Sequence, residues 1–148
     1  MSTTVMERTG TLEKSFSGTG MRLTPQRAAI CRMLENSCSH PTAEEIYREI
    51  KQHYKTLSLM TVYNTLNRLA DMGLITTVGQ AGDGSEHFDG NVQPHAHFSC
   101  SFCHRIEDLP EDHTLVVQQQ RLSGSGYSII GMRMVYYGVC PQCMKRAN

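Results

Sequence analysis

Two Cys-x-x-Cys pairs, Cys100-Ser101-Phe102-Cys103 and Cys140-Pro141-Gln142-Cys143, are separated by 36 residues. Each tight turn presents two thiolates, and two such turns complete a tetrahedral Zn²⁺ shell with bonds of about 2.3 Å. With all four positions filled by protein, the site has no place for a reacting water and is structural. The separation exceeds that of a compact zinc ribbon. The metal must therefore clip the far end of the chain onto the strand that carries the first pair, and any fold has to bring these two turns together. No apolar run is long enough to cross a bilayer, and residues 1–20 lack a basic region followed by an apolar core. The chain is thus expected in the cytoplasm, where paired cysteines hold metal rather than a disulfide. Of the other cysteines, Cys31 falls on an apolar helix face and reads as core, and Cys38 as a loop thiol.

Just ahead of the first pair lies His95-Ala96-His97. Side chains two apart on a strand share a face, so the two imidazoles form half of a second metal site. The remaining donors are dispersed: His40, Asp89, and one of the neighbours Glu107 and Asp108, which face opposite ways in a strand. Periodicity does not choose between those two, and Glu86 and His87 stand in reserve. A set of nitrogen and carboxylate ligands without thiolate suits Fe²⁺ or Mn²⁺ better than a closed zinc shell.

The first half of the chain reads as helical. Residues 1–20 either form a short helix around Leu12–Phe16 or stay disordered, and no function is assigned to them. Thr24 suits an N-cap and Pro25 the first helical position, and Ala29, Ile30, Met33 and Leu34 recur at helical spacing as far as about Ser37. Thr42 with Glu45 forms a capping box that opens a second helix, with Ile46 and Ile50 inward and His40 in the turn before it. Ser58 starts a third helix, with Leu59, Val62, Leu66 and Leu69 on one face and Thr61, Tyr63, Asn64, Asn67 and Arg68 on the other. Gly73 stops it. Leu74–Val78 and Glu86–Asp89 read as a hairpin around the glycine-rich turn, and Asn91–Pro94 as a hinge. Beyond the hinge, strands are expected at His95–Cys100 and Arg105–Leu109, a helix from Pro110 to about Gly124, and a long strand from Tyr127 to Tyr137.

Three short helices followed by a hairpin is the order of a winged helix-turn-helix, whose last helix lies in the major groove of DNA. The fold class is therefore α+β, with a winged-helix domain at 1–90 and a small α/β dimerisation and metal-binding domain at 91–148. Formal charge is zero. Residues 1–73 carry nine Lys/Arg against seven Asp/Glu and residues 74–148 five against seven, an asymmetry too small to decide for or against nucleic acid. A zinc-dependent hydrolase is the competing class. Zinc deaminases combine His-x-Glu with Pro-Cys-x-x-Cys and keep an open coordination position. Here the motif is His-x-His, the cysteines form two complete pairs, and no phosphate loop or nucleophile elbow is present, so an enzyme is not expected.

Taken in order, Arg22-Leu23-Thr24-Pro25-Gln26-Arg27, His40-Pro41-Thr42-Ala43, Thr61-Val62-Tyr63-Asn64-Thr65-Leu66, Phe88-Asp89, His95-Ala96-His97 and both Cys-x-x-Cys pairs resemble the ferric-uptake-regulator (Fur) family over about residues 20–145. The resemblance implies a homodimeric repressor on palindromic double-stranded operators, with structural zinc on Cys100, Cys103, Cys140 and Cys143. It implies regulatory Fe²⁺ or Mn²⁺ on His40, Asp89, His95, His97 and Asp108. Aspartates at 89 and 108 resemble the peroxide-sensing (PerR) branch, in which Fe²⁺ reacts with hydrogen peroxide and a ligating histidine is oxidised. The matching candidates are His40 and His95. Iron-uptake members usually place glutamate there; an iron-responsive Fur-type repressor is the alternative. The additional C-terminal site of iron-uptake members looks lost, because Ala96 and Arg133 stand where its acidic residue and histidine would be. Arg22, Thr61, Tyr63, Asn64 and Arg68 are the expected DNA contacts, and no membrane association is implied.

Overall fold

The computed structural model describes residues 10–80, 82–110 and 113–147. Its first half is helical: α1 (Thr11–Ser15) runs into a 3₁₀ turn (Phe16–Thr19), followed by α2 (Pro25–Asn36), α3 (Ala43–Lys51) and α4 (Leu59–Asp71). The caps are those the sequence predicts. Thr24 accepts from the Arg27 amide, Ser58 from the Thr61 amide, and Thr42 and Glu45 close a reciprocal capping box. Each cap is worth about 1 kcal/mol. Gly73, at φ +70°, ends α4 with paired bonds from its own amide to Ala70 and from the Leu74 amide to Leu69.

One hydrophobic core joins these helices through Ile30, Leu34, Ile46, Ile50, Val62, Leu66 and Leu69. Leu12 and Phe16 close it from the N-terminal side, Phe16 with no exposed surface. Burying a side chain of that size contributes about 2–3 kcal/mol. Of the two readings left open near residue 12, the helix is the one formed, and it is part of the core. Cys31 is also buried there, and burial pushes its thiol up to about 12, as an inert packing residue requires.

β1 (Thr76–Gln80) and β2 (Glu86–Asp89) form the antiparallel hairpin, with an irregularity between Thr77 and Gly79. A second sheet has the order β4-β3-β5, with β3 (His97–Cys100), β4 (Ile106–Asp108) antiparallel to it and β5 (Val135–Gly138) parallel to it. A parallel neighbour needs a crossover; α5 (His113–Gly124) lies in that connection, and α6 (Pro141–Arg146) follows β5. The expected start of α5 at Glu111 and Asp112 lies outside the described residues.

Three strands differ from their predicted bounds. β3 begins at His97, two residues later than predicted, three residues after Pro94, which has no amide to donate; the Ala96 carbonyl still accepts from the Leu109 amide beyond the end of β4. β1 starts two residues late, after the turn that stops α4. The long strand from Tyr127 to Tyr137 is not formed: only Val135–Gly138 has a ladder partner. Ile130 instead lies against Gly73, so β-rich composition alone did not make the preceding segment a strand. Among the described residues no helix is long and apolar enough to cross a membrane.

Candidate metal centre

The four cysteines meet where the sequence placed them. Cys100 ends β3, Cys103 follows in its turn, and Cys140 and Cys143 lie at the start of α6, each sulfur within 4.8 Å of the others. Cys103 Sγ and Cys140 Sγ are 3.9 Å apart, and neither is in a disulfide. A tetrahedron with metal–sulfur bonds of about 2.3 Å has edges of about 3.8 Å, so the set fits Zn²⁺. Backbone amides of Cys103 and Cys140 stabilise the Cys100 thiolate and lower its pKa to about 6. Cys143 is pushed up to about 12, first by its contact with Cys140.

The second cluster draws on both halves of the chain. His40 comes from the turn between α2 and α3, Asp89 from the end of β2, His97 from β3 and Asp108 from β4, their donor atoms within 4.8 Å of one another. Asp89 Oδ2 accepts from His95 Nε2 at 2.9 Å and His97 Nε2 at 2.8 Å, and lies 3.5 Å from His40 Nε2. Asp108 Oδ1 lies 2.8 Å from His40 Nε2 and 3.2 Å from both His95 and His97. His95 therefore joins through the two carboxylates, although it precedes β3. Strand register separates the neighbours 107 and 108: Asp108 pairs opposite His97, and Glu107 turns to Arg105 at 2.8 Å. Of the reserve residues, Glu86 faces Arg133 and His87 bonds elsewhere.

Asp89 and all three histidines are buried, whereas Asp108 is 45% exposed. Burial alone would lower the pKa of His40, but hydrogen bonds to Asp108 and Asp89 outweigh it and raise it to about 9. Asp108 and then Asp89 raise His95 to about 10, and the same carboxylates raise His97 against its burial. Both carboxyls stay well below their usual range: burial would lift them, and the histidines overcome it. Three imidazoles and two carboxylates with nitrogen–oxygen separations near 3 Å match neighbouring donors around a six-coordinate ion with bonds of about 2.1 Å. His95 is oriented by its other nitrogen, which donates to the Gln93 carbonyl at 2.6 Å. His40 Nδ1 and His97 Nδ1 are buried, with no hydrogen-bond partner among the described residues.

A model described as the ferric uptake regulator family matches residues 18–137. The chain belongs to the ferric uptake regulator family. It is 36% identical over 140 residues to the peroxide-responsive repressor PerR of Staphylococcus epidermidis, covering 93% of each chain. It is 37% identical over 135 residues to the peroxide operon regulator of Bacillus subtilis, covering 91% of this chain and 92% of that one. The solved ferric uptake regulator of Helicobacter pylori, described as having three functional metal binding sites, shares its fold with a TM-score of 0.68 at 23% identity, over 95% of this chain and 91% of that one.

The expected DNA contacts divide by surroundings. Arg22 and Asn64 are exposed, and the Arg22 carbonyl accepts from Arg27. The Thr61 hydroxyl pairs with Ser58 at the start of α4, and Tyr63 donates to Glu44 at 2.5 Å. Arg68 Nε donates to the Thr19 carbonyl at 2.6 Å, tying α4 to the N-terminal turn. Arg133 reaches back to Thr77 Oγ1 on β1. Neither the Arg133 bond nor the bond of His87 to the His40 carbonyl had a sequence signal, since each joins segments that no local pattern relates.

Proposed function

We propose that this chain is a homodimeric, metal-dependent repressor that senses hydrogen peroxide in the cytoplasm. The observation that carries the reading is the second cluster, which gathers an all-nitrogen-and-oxygen donor set from the helical half and from the second sheet. In this reading residues 1–90 bind DNA and residues 91–148 dimerise and hold metal. Cys100, Cys103, Cys140 and Cys143 hold structural Zn²⁺, and His40, Asp89, His95, His97 and Asp108 hold Fe²⁺ or Mn²⁺. Aspartates at 89 and 108, and relatives named for peroxide response, support peroxide as the signal.

His40 and Asp89 belong to the helical half and its hairpin, and His95, His97 and Asp108 to the other. Ligation by all five fixes one orientation of the two halves and so the spacing of the two α4 helices in the dimer. The clamp acts on DNA affinity only through its preference for that orientation. Fe²⁺ held by these residues would activate peroxide by one-electron reduction, so that, net, one peroxide oxygen is added to the imidazole of His40 or His95 and the other leaves as water; Mn²⁺ would react far less. An oxidised His40 or His95 is a poorer nitrogen donor; the halves are released from one another and the operator with them. Tyr136 and Tyr137 on β5 are exposed, which supports a second copy packing at the second sheet.

Fluorescence anisotropy with a palindromic operator of the family tests the reading. Zinc-loaded protein should bind tightly with Mn²⁺ or Fe²⁺ and weakly without either, and affinity should fall steeply with salt. Peroxide should release the Fe²⁺ complex and spare the Mn²⁺ complex. Affinity independent of added metal refutes the clamp; metal-dependent affinity that peroxide leaves intact favours an iron-responsive repressor.

A further inference from the structure

His87 belongs to neither metal cluster, yet only 8% of its surface is exposed. It stands two residues before Asp89 on the same face of β2. Its Nδ1 donates to the backbone carbonyl of His40 at 2.6 Å, and its Nε2 faces Asp83 Oδ2 at 3.0 Å. Asp83 sits in the turn that closes the hairpin, where its other oxygen accepts from the Ser85 amide at 3.0 Å. Around this contact Thr42 bridges to His87, and the Phe88 amide donates to the Pro41 carbonyl at 3.0 Å. The turn carrying His40 is thereby stitched to the hairpin. His40 itself has φ +52°, the left-handed region that non-glycine residues enter rarely. A backbone held there needs a partner that fixes it, and the His87 bond falls on that residue's own carbonyl.

We propose that His87 is a positioning residue for the regulatory metal: it fixes the backbone of His40, and through Asp83 it couples the placement of that ligand to the conformation of the hairpin turn. The proposal rests on His40 being a ligand. The coupling is reciprocal, so whatever fixes the turn, operator DNA included, strengthens metal binding by the factor with which metal fixes the turn.

Mn²⁺ titration of the zinc-loaded, full-length protein, read by the electron paramagnetic resonance of free Mn²⁺, separates the bonds. The amide nitrogen of asparagine lies close to the place of histidine Nδ1, and that of glutamine close to Nε2. His87→Asn therefore keeps a donor for the His40 carbonyl and His87→Gln loses it. His87→Gln should weaken Mn²⁺ about tenfold and His87→Asn by less than about threefold, in line with the loss of one supporting bond behind a ligand. Asp83→Ala, in an exposed turn outside the core, should weaken Mn²⁺ about threefold. A role confined to packing would instead lower the melting temperature alike in the Asn and Gln variants and leave the Mn²⁺ affinity of the folded protein unchanged. Equal Mn²⁺ affinities in those two variants overturn the positioning role, and wild-type affinity in Asp83→Ala overturns the link to the hairpin. His40→Ala is the control for the underlying reading: wild-type Mn²⁺ affinity there means that His40 is no ligand, a failure distinct from the other two.

Discussion

Asp108→Ala separates function from fold more cleanly than any other substitution in the second cluster. The carboxylate touches His40 at 2.8 Å and His95 and His97 at 3.2 Å, yet its side chain is 45% exposed. Its place opposite His97 in β4 is kept by backbone bonds that alanine preserves. Loss of one carboxylate from the five donors should lower Mn²⁺ affinity by about 10- to 100-fold. Losing the carboxylate also lets the histidines release their protons more readily, which opposes the loss. Half of the anionic charge facing a divalent ion is gone, however, and that effect dominates. The zinc-loaded fold should lose less than about 1 kcal/mol, a shift of a few degrees in melting temperature. Operator anisotropy across a Mn²⁺ titration reads the effect directly. Wild-type metal dependence in the variant would refute the ligand assignment, and a collapse of the fold would refute the claim that Asp108 acts only at the site.

The histidines also set a pH dependence. His40 and His95 hold protons up to about pH 9 and 10, and a metal must displace them. Mn²⁺ affinity should therefore rise between pH 6 and 9 by about tenfold per unit for each proton released, and a flat profile in a calorimetric titration contradicts the proton competition. For the fold without added Mn²⁺ the sign is opposite: raised histidine pKa values stabilise fully below about pH 6.5 and their contribution is lost as pH rises through 9 to 10. The depressed carboxyls stabilise above about pH 4 and lose that contribution in acid. Cys103→Ser should remove zinc, free α6 from β3 and abolish the dimer, as elemental analysis and sedimentation would show. A stable, zinc-free dimer would contradict the structural role.

The helices were legible because their signals are local. Thr24-Pro25, the Thr42–Glu45 box, Ser58 and Gly73 each act within a few residues, and each acts as its sequence pattern predicts. The cysteine site was legible from chemistry, since four thiolates in two tight turns satisfy zinc and little else. Legibility failed where structure depends on distant partners. Residues 127–133 have strand composition but no ladder partner among the described residues, and His95 reaches the cluster from outside the strand expected to carry it. Asp108 rather than Glu107 was decided by register against His97. His87 and Arg133 each bond to a segment more than 40 residues away, to which no periodicity in their own neighbourhood points.

The most direct test of peroxide sensing is mass spectrometry of peptides from Fe²⁺-loaded protein after a small excess of hydrogen peroxide. One added oxygen on the peptide bearing His40 or His95, absent from the Mn²⁺-loaded control, is the predicted result. Unmodified histidines with Fe²⁺ confirmed bound would contradict it and leave metal occupancy itself as the signal.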